Sequence, residues 1–374
     1  MDNKNKWNLL LVVFVILFFA VAIYALWIYF AQKPLAKNQN KDLAGNAKLS
    51  DQKKSVSENS DFINNNDGTV SGIKTGLQWK VCPGADLASE NCSATDSGLS
   101  FEEAILFCDS LDFAGHSDWR LPDVHELLTI VDFKKSNPAI NTNFFAINAA
   151  TLDPNKKYGS EQEYYADYFK KLVARTFWTS DSNADPKESD GAWGAWIVDF
   201  NSGMVGAMQK STPLNFRCVR GKQSDAELSM IDNGDGTVID HGNGLQWKKC
   251  SNGSESGTDC PWDHKDYNWE GAIALCDSLD FAGHTDWRLP SVAELSTIID
   301  YNKFDPSINK ALFPDTHGND STGNVYWASD PVADQPAGKS AWAAYFHYGV
   351  IGIYNNDGHN DGDGFSVRCV RSGK

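Results

Sequence analysis

The chain repeats itself, and that limits its folds more than any other feature. Cys108–Pro122 reads CDSLDFAGHSDWRLP and Cys276–Pro290 reads CDSLDFAGHTDWRLP, an offset of 168 residues with one change. At the same offset GLQWK recurs at 76–80 and 244–248, and NDGTV at 66–70 returns as GDGTV at 234–238. Trp178-Thr-Ser-Asp181 returns as Trp327-Ala-Ser-Asp330, and FRCVR at 216–220 as SVRCVR at 366–371. Self-similarity of this kind marks two copies of one folding unit. Copy one is expected over 61–222 and copy two over 228–374. Copy one carries about 19 extra residues between Pro138 and Trp178, where NKKYGSEQEYYADYFKKL reads as an exposed helix in a tolerated surface insertion.

The eight cysteines fall four to a copy: Cys82, Cys92, Cys108 and Cys218, then Cys250, Cys260, Cys276 and Cys369. The first two gaps, 10 and 16 residues, are the same in both copies, and no C-x-x-C pair points to zinc or redox chemistry. Four cysteines allow three pairings per copy. We expect Cys82–Cys92 and Cys250–Cys260 to staple local loops, and Cys108–Cys218 and Cys276–Cys369 to tie a helix to the last strand of each copy. Disulfides persist in oxidising compartments, which places the repeats in the periplasm or at the cell surface.

Leu9–Ala31 is an uncharged run of 23 residues. As a helix it would span roughly 34 Å, enough to cross a bilayer core. Trp7, Tyr24, Trp27 and Tyr29 lie near its ends, where amphipathic rings favour the interface. This reads as a transmembrane signal anchor with residues 1–8 a cytoplasmic stub; a long signal peptide cut near Ala22 or Ala25 is the alternative. Residues 32–60, rich in Lys, Asn, Gln, Ser and Asp, read as a flexible tether. Net charge is −16, and residues 1–60 hold eight Lys against four acids, which leaves about −20 on the rest. Such a surface repels nucleic acid and anionic glycans.

The local patterns give an α+β fold: two helices early and an antiparallel sheet late. A D-G turn joins Thr69-Val70 to Leu77-Gln78-Trp79 as a hairpin. Ser100 and Glu103 form a capping-box pattern before an apolar stripe of Phe101, Ala104, Ile105, Cys108 and Leu111. In copy two Asn268 caps the stripe Trp269, Ala272, Ile273, Cys276 and Leu279. Pro122 and Pro290 are placed in the first turn of a second helix. Strands are expected at Phe177–Ser180, Ala195–Phe200, Met204–Met208 and Phe216–Val219.

Together these motifs resemble the Lcl C-terminal domain family: DNGDGTVIDHGNGLQWKK at 232–249, the CDSLDFAGHSDWRLP block, Y-W-A-S-D at 326–330, the A-W…F…G hairpin at 341–349 and the terminal RCVR, each present twice in turn. The resemblance implies two tandem C-type-lectin-like domains of the variety shared with formylglycine-generating enzymes. It also implies adhesion or binding of a carbohydrate or protein ligand.

The individual candidates favour binding over catalysis. Trp119-Arg120 and Trp287-Arg288 could stack on a sugar, but serve equally to pack the two helices. Glu126 and Glu294 could act as acids, but are better placed to pair with the nearby Arg or cap backbone. His116 and His284, in an A-G-H-[ST]-D turn, lack further ligands for a metal. No G-x-S-x-G, H-E-x-x-H or phosphate loop occurs, so no catalytic residue is assigned and no enzyme is expected. An enzyme related to formylglycine generation, needing free thiols, is one alternative; a structural subunit of a surface assembly or homo-oligomer is the other.

Asp232-Asn-Gly-Asp235-Gly236 resembles half a calcium loop but lacks the closing Glu. The stretch NNDGHNDGDG at 355–364 is denser in oxygen ligands, and Asp357, Asp361 and Asp363 are candidate Ca2+ ligands; otherwise no cofactor is expected. Tyr345, His347, Tyr348, Tyr354, Asn356, His359 and Asn360 form the candidate ligand surface. In some lectin-like proteins the corresponding region is diversified for recognition, which would make copy two the sensor and copy one a spacer.

Overall fold

The computed structural model describes residues 61–87, 92, 98–147, 156–184, 194–222, 229–251, 260, 265–316, 324–333, 339–355 and 364–373. Residues 57–374 form one compact unit. Leu9–Ala31, the stub and the tether lie outside the described residues. Among the described residues no helix is long and apolar enough to cross a membrane.

Each copy opens on a small antiparallel sheet. In the first copy β1 (Phe62–Asn64), β2 (Thr69–Gly72) and β3 (Gln78–Lys80) run in order, and β7 (Val219–Arg220) closes the sheet against β3. In the second copy β8 (Met230–Asp232), β9 (Thr237–Asp240) and β10 (Leu245–Lys248) are closed by β14 (Val370–Ser372). The last strand of each copy thus joins the sheet built by its opening strands, which brings its ends together. The short β1 and β8 had no hydropathy signal, since Phe-Ile-Asn and Met-Ile-Asp are too brief to show a period.

The helices follow their caps. In α1 (Phe101–Asp109) the Ser100 N–H donates to the Glu103 carboxylate at 3.0 Å, and Phe101, Ala104 and Cys108 face inward. Its counterpart α4 (Trp269–Asp277) begins where Asn268 Oδ1 accepts from the Gly271 N–H at 2.9 Å. The second helix starts later than the proline suggested. It is α2 (Val124–Leu128), capped by Asp123, and in copy two α5 (Val292–Ser296), capped by Ser291. A capping side chain that accepts an amide N–H fixes the start better than a proline two residues upstream. The insertion is helical as expected: α3 (Glu161–Arg175), with no buried residue.

The sheets of the two copies are not separate. Copy one supplies β4 (Thr176–Ser182), β5 (Ala195–Asp199) and β6 (Met204–Met208); copy two supplies β11 (Val325–Pro331), β12 (Ser340–Tyr345) and β13 (Val350–Asn355). All six make one antiparallel sheet in the order β11-β12-β13-β6-β5-β4. At the join Val205 of β6 lies opposite Ile351 of β13. These two residues occupy equivalent places in their hairpins, so a local pseudo-twofold axis passes between them. The strand edges left bare by each three-stranded meander satisfy one another.

The symmetry extends into the packing. Phe133 of copy one packs edge-on against Trp342 of copy two, ring centroids 5.3 Å apart; Tyr301 of copy two packs on Trp196 of copy one at 5.1 Å. The Trp196 indole N–H also donates to the Tyr301 carbonyl at 3.1 Å. His125 of α2 reaches across, its Nε2 at 3.2 Å and 3.1 Å from the carbonyls of Ser296 and Ile299. A single hydrophobic core therefore runs through both copies. Each copy adds a smaller core of its own, around Trp119 and Trp178 in the first and Trp287 and Trp327 in the second.

Phe216–Val219 is not a strand along its length. Isolated bridges fall at Leu214 and Asn215, Phe216–Cys218 pass without ladder pairing with Cys218 held to Cys108, and β7 begins at Val219.

Candidate functional site

All eight cysteines pair: Cys82–Cys92, Cys108–Cys218, Cys250–Cys260 and Cys276–Cys369, and no thiol is free. Each long disulfide joins the first helix of its copy to the residue just before the closing strand.

The residues most faithfully repeated form a structural clasp. Trp119 and Trp287 are buried, and their indole N–H groups donate to the carbonyls of Phe113 and Phe281 at 3.1 Å. Arg120 grips Glu126 through two hydrogen bonds of 2.6 and 2.5 Å, and Glu126 Oε2 also accepts from the Asp123 N–H at 3.0 Å. Arg288 and Glu294 repeat this at 2.7 and 2.6 Å. Burial, the largest single influence, would raise the Glu294 carboxyl; the hydrogen bonds from Arg288 and Ser291 and the Arg288 charge together outweigh it and hold the group below its ordinary value. Both glutamates pair with arginine and cap backbone.

The other repeated motifs meet in the same clasp. The last Arg of RCVR, Arg220, binds Asp118 of the S-D-W-R-L-P block and Gln78 of LQWK; Arg371 binds Asp286 and Gln246 likewise. The first Arg is buried. Arg217 donates to the carbonyls of Lys80, Val81 and Ala146, and desolvation lowers it to about 9. Arg368 meets Asp315 at 3.0 Å, a carboxylate for which copy one has no equivalent. The lysine of LQWK is buried too: Lys80 donates to the Cys82, Gly84 and Asp86 carbonyls, and desolvation lowers it to about 7. Lys248 behaves alike, lowered to about 8. Sequence reasoning treated LQWK as a plain strand; nothing in its spacing announced a buried ammonium.

His116 and His284 sit at the ends of tight turns. Ala114 and Gly115 have φ of +52° and +76°, the two-residue pattern of a type I′ turn, and the backbones of Phe113 and His116 exchange both hydrogen bonds at 3.0 Å. The Asp232–Gly236 segment is likewise a turn. Asp232 accepts from the Gly234 N–H and from Lys249, and Asp235 from Thr237, so these carboxylates are engaged locally. Among the described residues no group of three or more His, Cys, Asp or Glu side chains is arranged to hold a metal ion. Asp357, Asp361 and Asp363, with Asn356, His359 and Asn360, lie outside the described residues.

Four of the candidate ligand residues are described, and three of them converge. Tyr345, His347 and Tyr348 surround the turn from β12 to β13: the His347 and Tyr348 rings are 4.0 Å apart and Tyr345 is 5.2 Å from Tyr348. Phe304, which sequence reasoning did not select, completes the cluster at 5.2 Å from His347 and 5.8 Å from Tyr348. His347 is buried and its Nδ1 meets Asp305 at 2.9 Å, while Tyr348 is 38% exposed. Gly349, at φ +73°, closes the turn, and a Cβ there would lie 3.2 Å from Trp196 of copy one. The cluster is therefore pinned to the join between the copies. Tyr354 is not part of it; its ring packs on Phe365 at 5.1 Å, near the other end of the hairpin. In copy one the places of Tyr345, His347 and Tyr348 are taken by Asp199, Asn201 and Ser202, and Asp199 lies 3.4 Å from Arg175.

The family model of the Lcl C-terminal domain matches residues 68–220 and again 236–371. The chain belongs to that family. No curated protein matches it. The clasp of Trp, Arg, Glu and Cys falls within both Lcl domains, so what the two matches share is what holds each domain shut. The aromatic cluster is confined to the second Lcl domain. Four disulfides mark an oxidising, extracytoplasmic setting for both.

Proposed function

We propose that this chain is a membrane-anchored, extracytoplasmic recognition module of C-type-lectin-like architecture, held by residues 9–31 and binding its ligand through the second Lcl domain. The observation that carries the reading is the ring cluster of Phe304, Tyr345, His347 and Tyr348. A partly exposed aromatic platform on a rigid hairpin presents apolar faces beside polar tips, the surface on which the C–H face of a sugar ring or an aromatic protein side chain stacks. The first domain, with Asp199, Asn201 and Ser202 at the same places, acts as a spacer. Calcium on Asp357, Asp361 and Asp363 would lie close in sequence to this hairpin. Paired cysteines speak against formylglycine-type chemistry, which needs reactive thiols.

The test is a binding screen of residues 61–374 against glycans and envelope proteins, in calcium and in chelator. Selective binding lost in Tyr348→Ala is the expected result. Binding that survives both Tyr348→Ala and Phe304→Ala would overturn the platform. Stable co-purification with envelope proteins, without affinity for any glycan or small ligand, would favour a structural subunit.

A further inference from the structure

The join between the two Lcl domains is nearly symmetric, and polar groups mark where it departs from symmetry. Tyr301 of the second domain packs on Trp196 as Phe133 of the first packs on Trp342, and the two residues are equivalent in the repeat, 168 positions apart. Phe133 shows that a bare ring fills this place. Tyr301 adds a hydroxyl that is buried and has no hydrogen-bond partner, an arrangement that costs stability. Burial raises that hydroxyl well above its ordinary value, and the carboxylates of Asp181 and Asp123, both in the first domain, raise it further. The hydroxyl is therefore neutral and faces acidic groups across the join.

Those groups are crowded. Asp181 ends the W-T-S-D motif on β4, and its carboxylate accepts from the Val124 N–H at the start of α2 at 2.7 Å. Beside it Asp123 accepts from the Glu126 N–H at 2.7 Å, and Glu126 already engages the Arg120 guanidinium. His125 lies edge-on to the Tyr301 ring, centroids 5.0 Å apart, with its Nε2 turned to the carbonyls of Ser296 and Ile299. Three carboxylates thus meet where the nearby arginine is taken, and in a buried site one of them favours its protonated form. That one is Asp181. Burial, Asp123 and Glu126 push it up, the Val124 N–H and His125 pull it down, and it comes to about 6. Its twin Asp330, in W-A-S-D, accepts from the Val292 N–H at 2.6 Å and is also raised by burial, but Lys134 of the first domain opposes the rise. Across the join Asp330 faces an ammonium where Asp181 faces a hydroxyl.

A neutral carboxyl has an O–H to give, and a phenol oxygen can accept it. We infer that the join is a proton-operated latch: Asp181 of the first domain takes up a proton and donates a hydrogen bond to the Tyr301 hydroxyl of the second, fastening the loop that follows Tyr301. That loop carries Phe304 and is tied down by the Asp305 N–H on the His347 carbonyl at 3.1 Å and the Ser307 N–H on the Phe346 carbonyl at 2.6 Å. The folded value of Asp181 lies above the ordinary carboxylate value, so the stabilisation is complete below about pH 4 and is lost as pH rises through about 6.

The full chain, kept in mild detergent, is followed by amide exchange at pH 5 and pH 7, corrected for the intrinsic rate. Exchange at Asp305 and Ser307 should be roughly five- to tenfold slower at pH 5. In Asp181→Asn an amide N–H2 stands in for the acid O–H, so exchange at pH 7 should already be as slow as in the wild type at pH 5, with no further change on acidification. The proton itself is read from the carboxyl carbon shifts of 13C-labelled aspartate, in which Asp181 should titrate near 6. Tyr301→Phe, which copies the ring of the twin site and should fold, removes the acceptor and should lower that midpoint.

An Asp181 midpoint near 4 would overturn the latch. So would a pH response of the two amides that survives Asp181→Asn, which would put the proton on another group such as His125. A midpoint unmoved or raised in Tyr301→Phe would overturn the bridge across the join.

Discussion

Glu126 and Glu294 occupy the same place in the two copies, and their surroundings set different consequences for the same change. The Glu126 side chain is 2% exposed and its partner Arg120 25%; for Glu294 and Arg288 the values are 23% and 41%. Replacing Glu126 by Gln keeps the volume but sets an amide N–H2 against a guanidinium and leaves a nearly buried cation without its counter-charge. Removing one partner of a fully buried pair costs roughly 3–5 kcal/mol, and because Arg120 can rehydrate in part we discount this to about 2–3 kcal/mol. Glu294→Gln, in a wetter site, should cost about 1 kcal/mol. Urea unfolding at neutral pH with the disulfides intact, followed by tryptophan fluorescence, reads both values. Because one core runs through both copies, each variant should shift the same single transition. Equal losses at the two sites, or a greater loss from Glu294→Gln, would refute the link between burial and the strength of the clasp.

Three further outcomes follow from the join and its flanks. Trp196→Ala removes a buried ring and the donor to the Tyr301 carbonyl, and should cost about 3–4 kcal/mol while loosening amides of the second domain; hydrogen exchange confined to the first domain would count against a shared core. Burial lifts the Asp181 carboxyl to about 6, against the pull of the Val124 N–H. A folded value above the unfolded one means that its favourable share is complete below about pH 4 and lost as pH rises towards 6. Asp181→Asn should flatten that slope and gain about 1–2 kcal/mol near pH 7, discounted for partial exposure; an unchanged slope would exclude Asp181 as its source. His125→Ala, which removes the contacts to the Ser296 and Ile299 carbonyls, should lower stability by about 1–2 kcal/mol; a neutral His125→Ala measured by thermal melting would show that this contact contributes nothing.

Much of the fold was legible because its signals are local. The capping residues Ser100 and Asn268, the D-G turns and the stripe ending in Cys108 each act within a few residues, and the cysteine gaps foretold the pairing. The insertion helix was readable from its composition. What escaped was set at long range. That β6 would pair with β13 depends on two edges meeting across the whole chain, and Val205 and Ile351 look like any other core valine and isoleucine. Lys80 and Lys248 read as strand-end lysines, and only the carbonyls gathered by the short disulfide loop make their burial tolerable. At the candidate site, Tyr345, His347 and Tyr348 stood out as a cluster in sequence, but Phe304 joins them from about forty residues away, and Tyr354 leaves them because it pairs with Ala341 at the far end of the hairpin, beside Phe365.

The six-stranded sheet has two kinds of boundary. Its outer strands, β4 and β11, each carry a register shift against their neighbour, between Trp178 and Ser182 and between Trp327 and Pro331. Such irregularities spoil an edge as a template for further pairing. The inner strands β6 and β13 are regular along the whole length of their hairpins. A copy cut free of its twin would therefore present a straight, unprotected edge, able to recruit another chain in the same way. Duplication within one polypeptide removes that hazard by making closure an intramolecular event. Whether the sheet is complete then no longer depends on how much protein the cell has made.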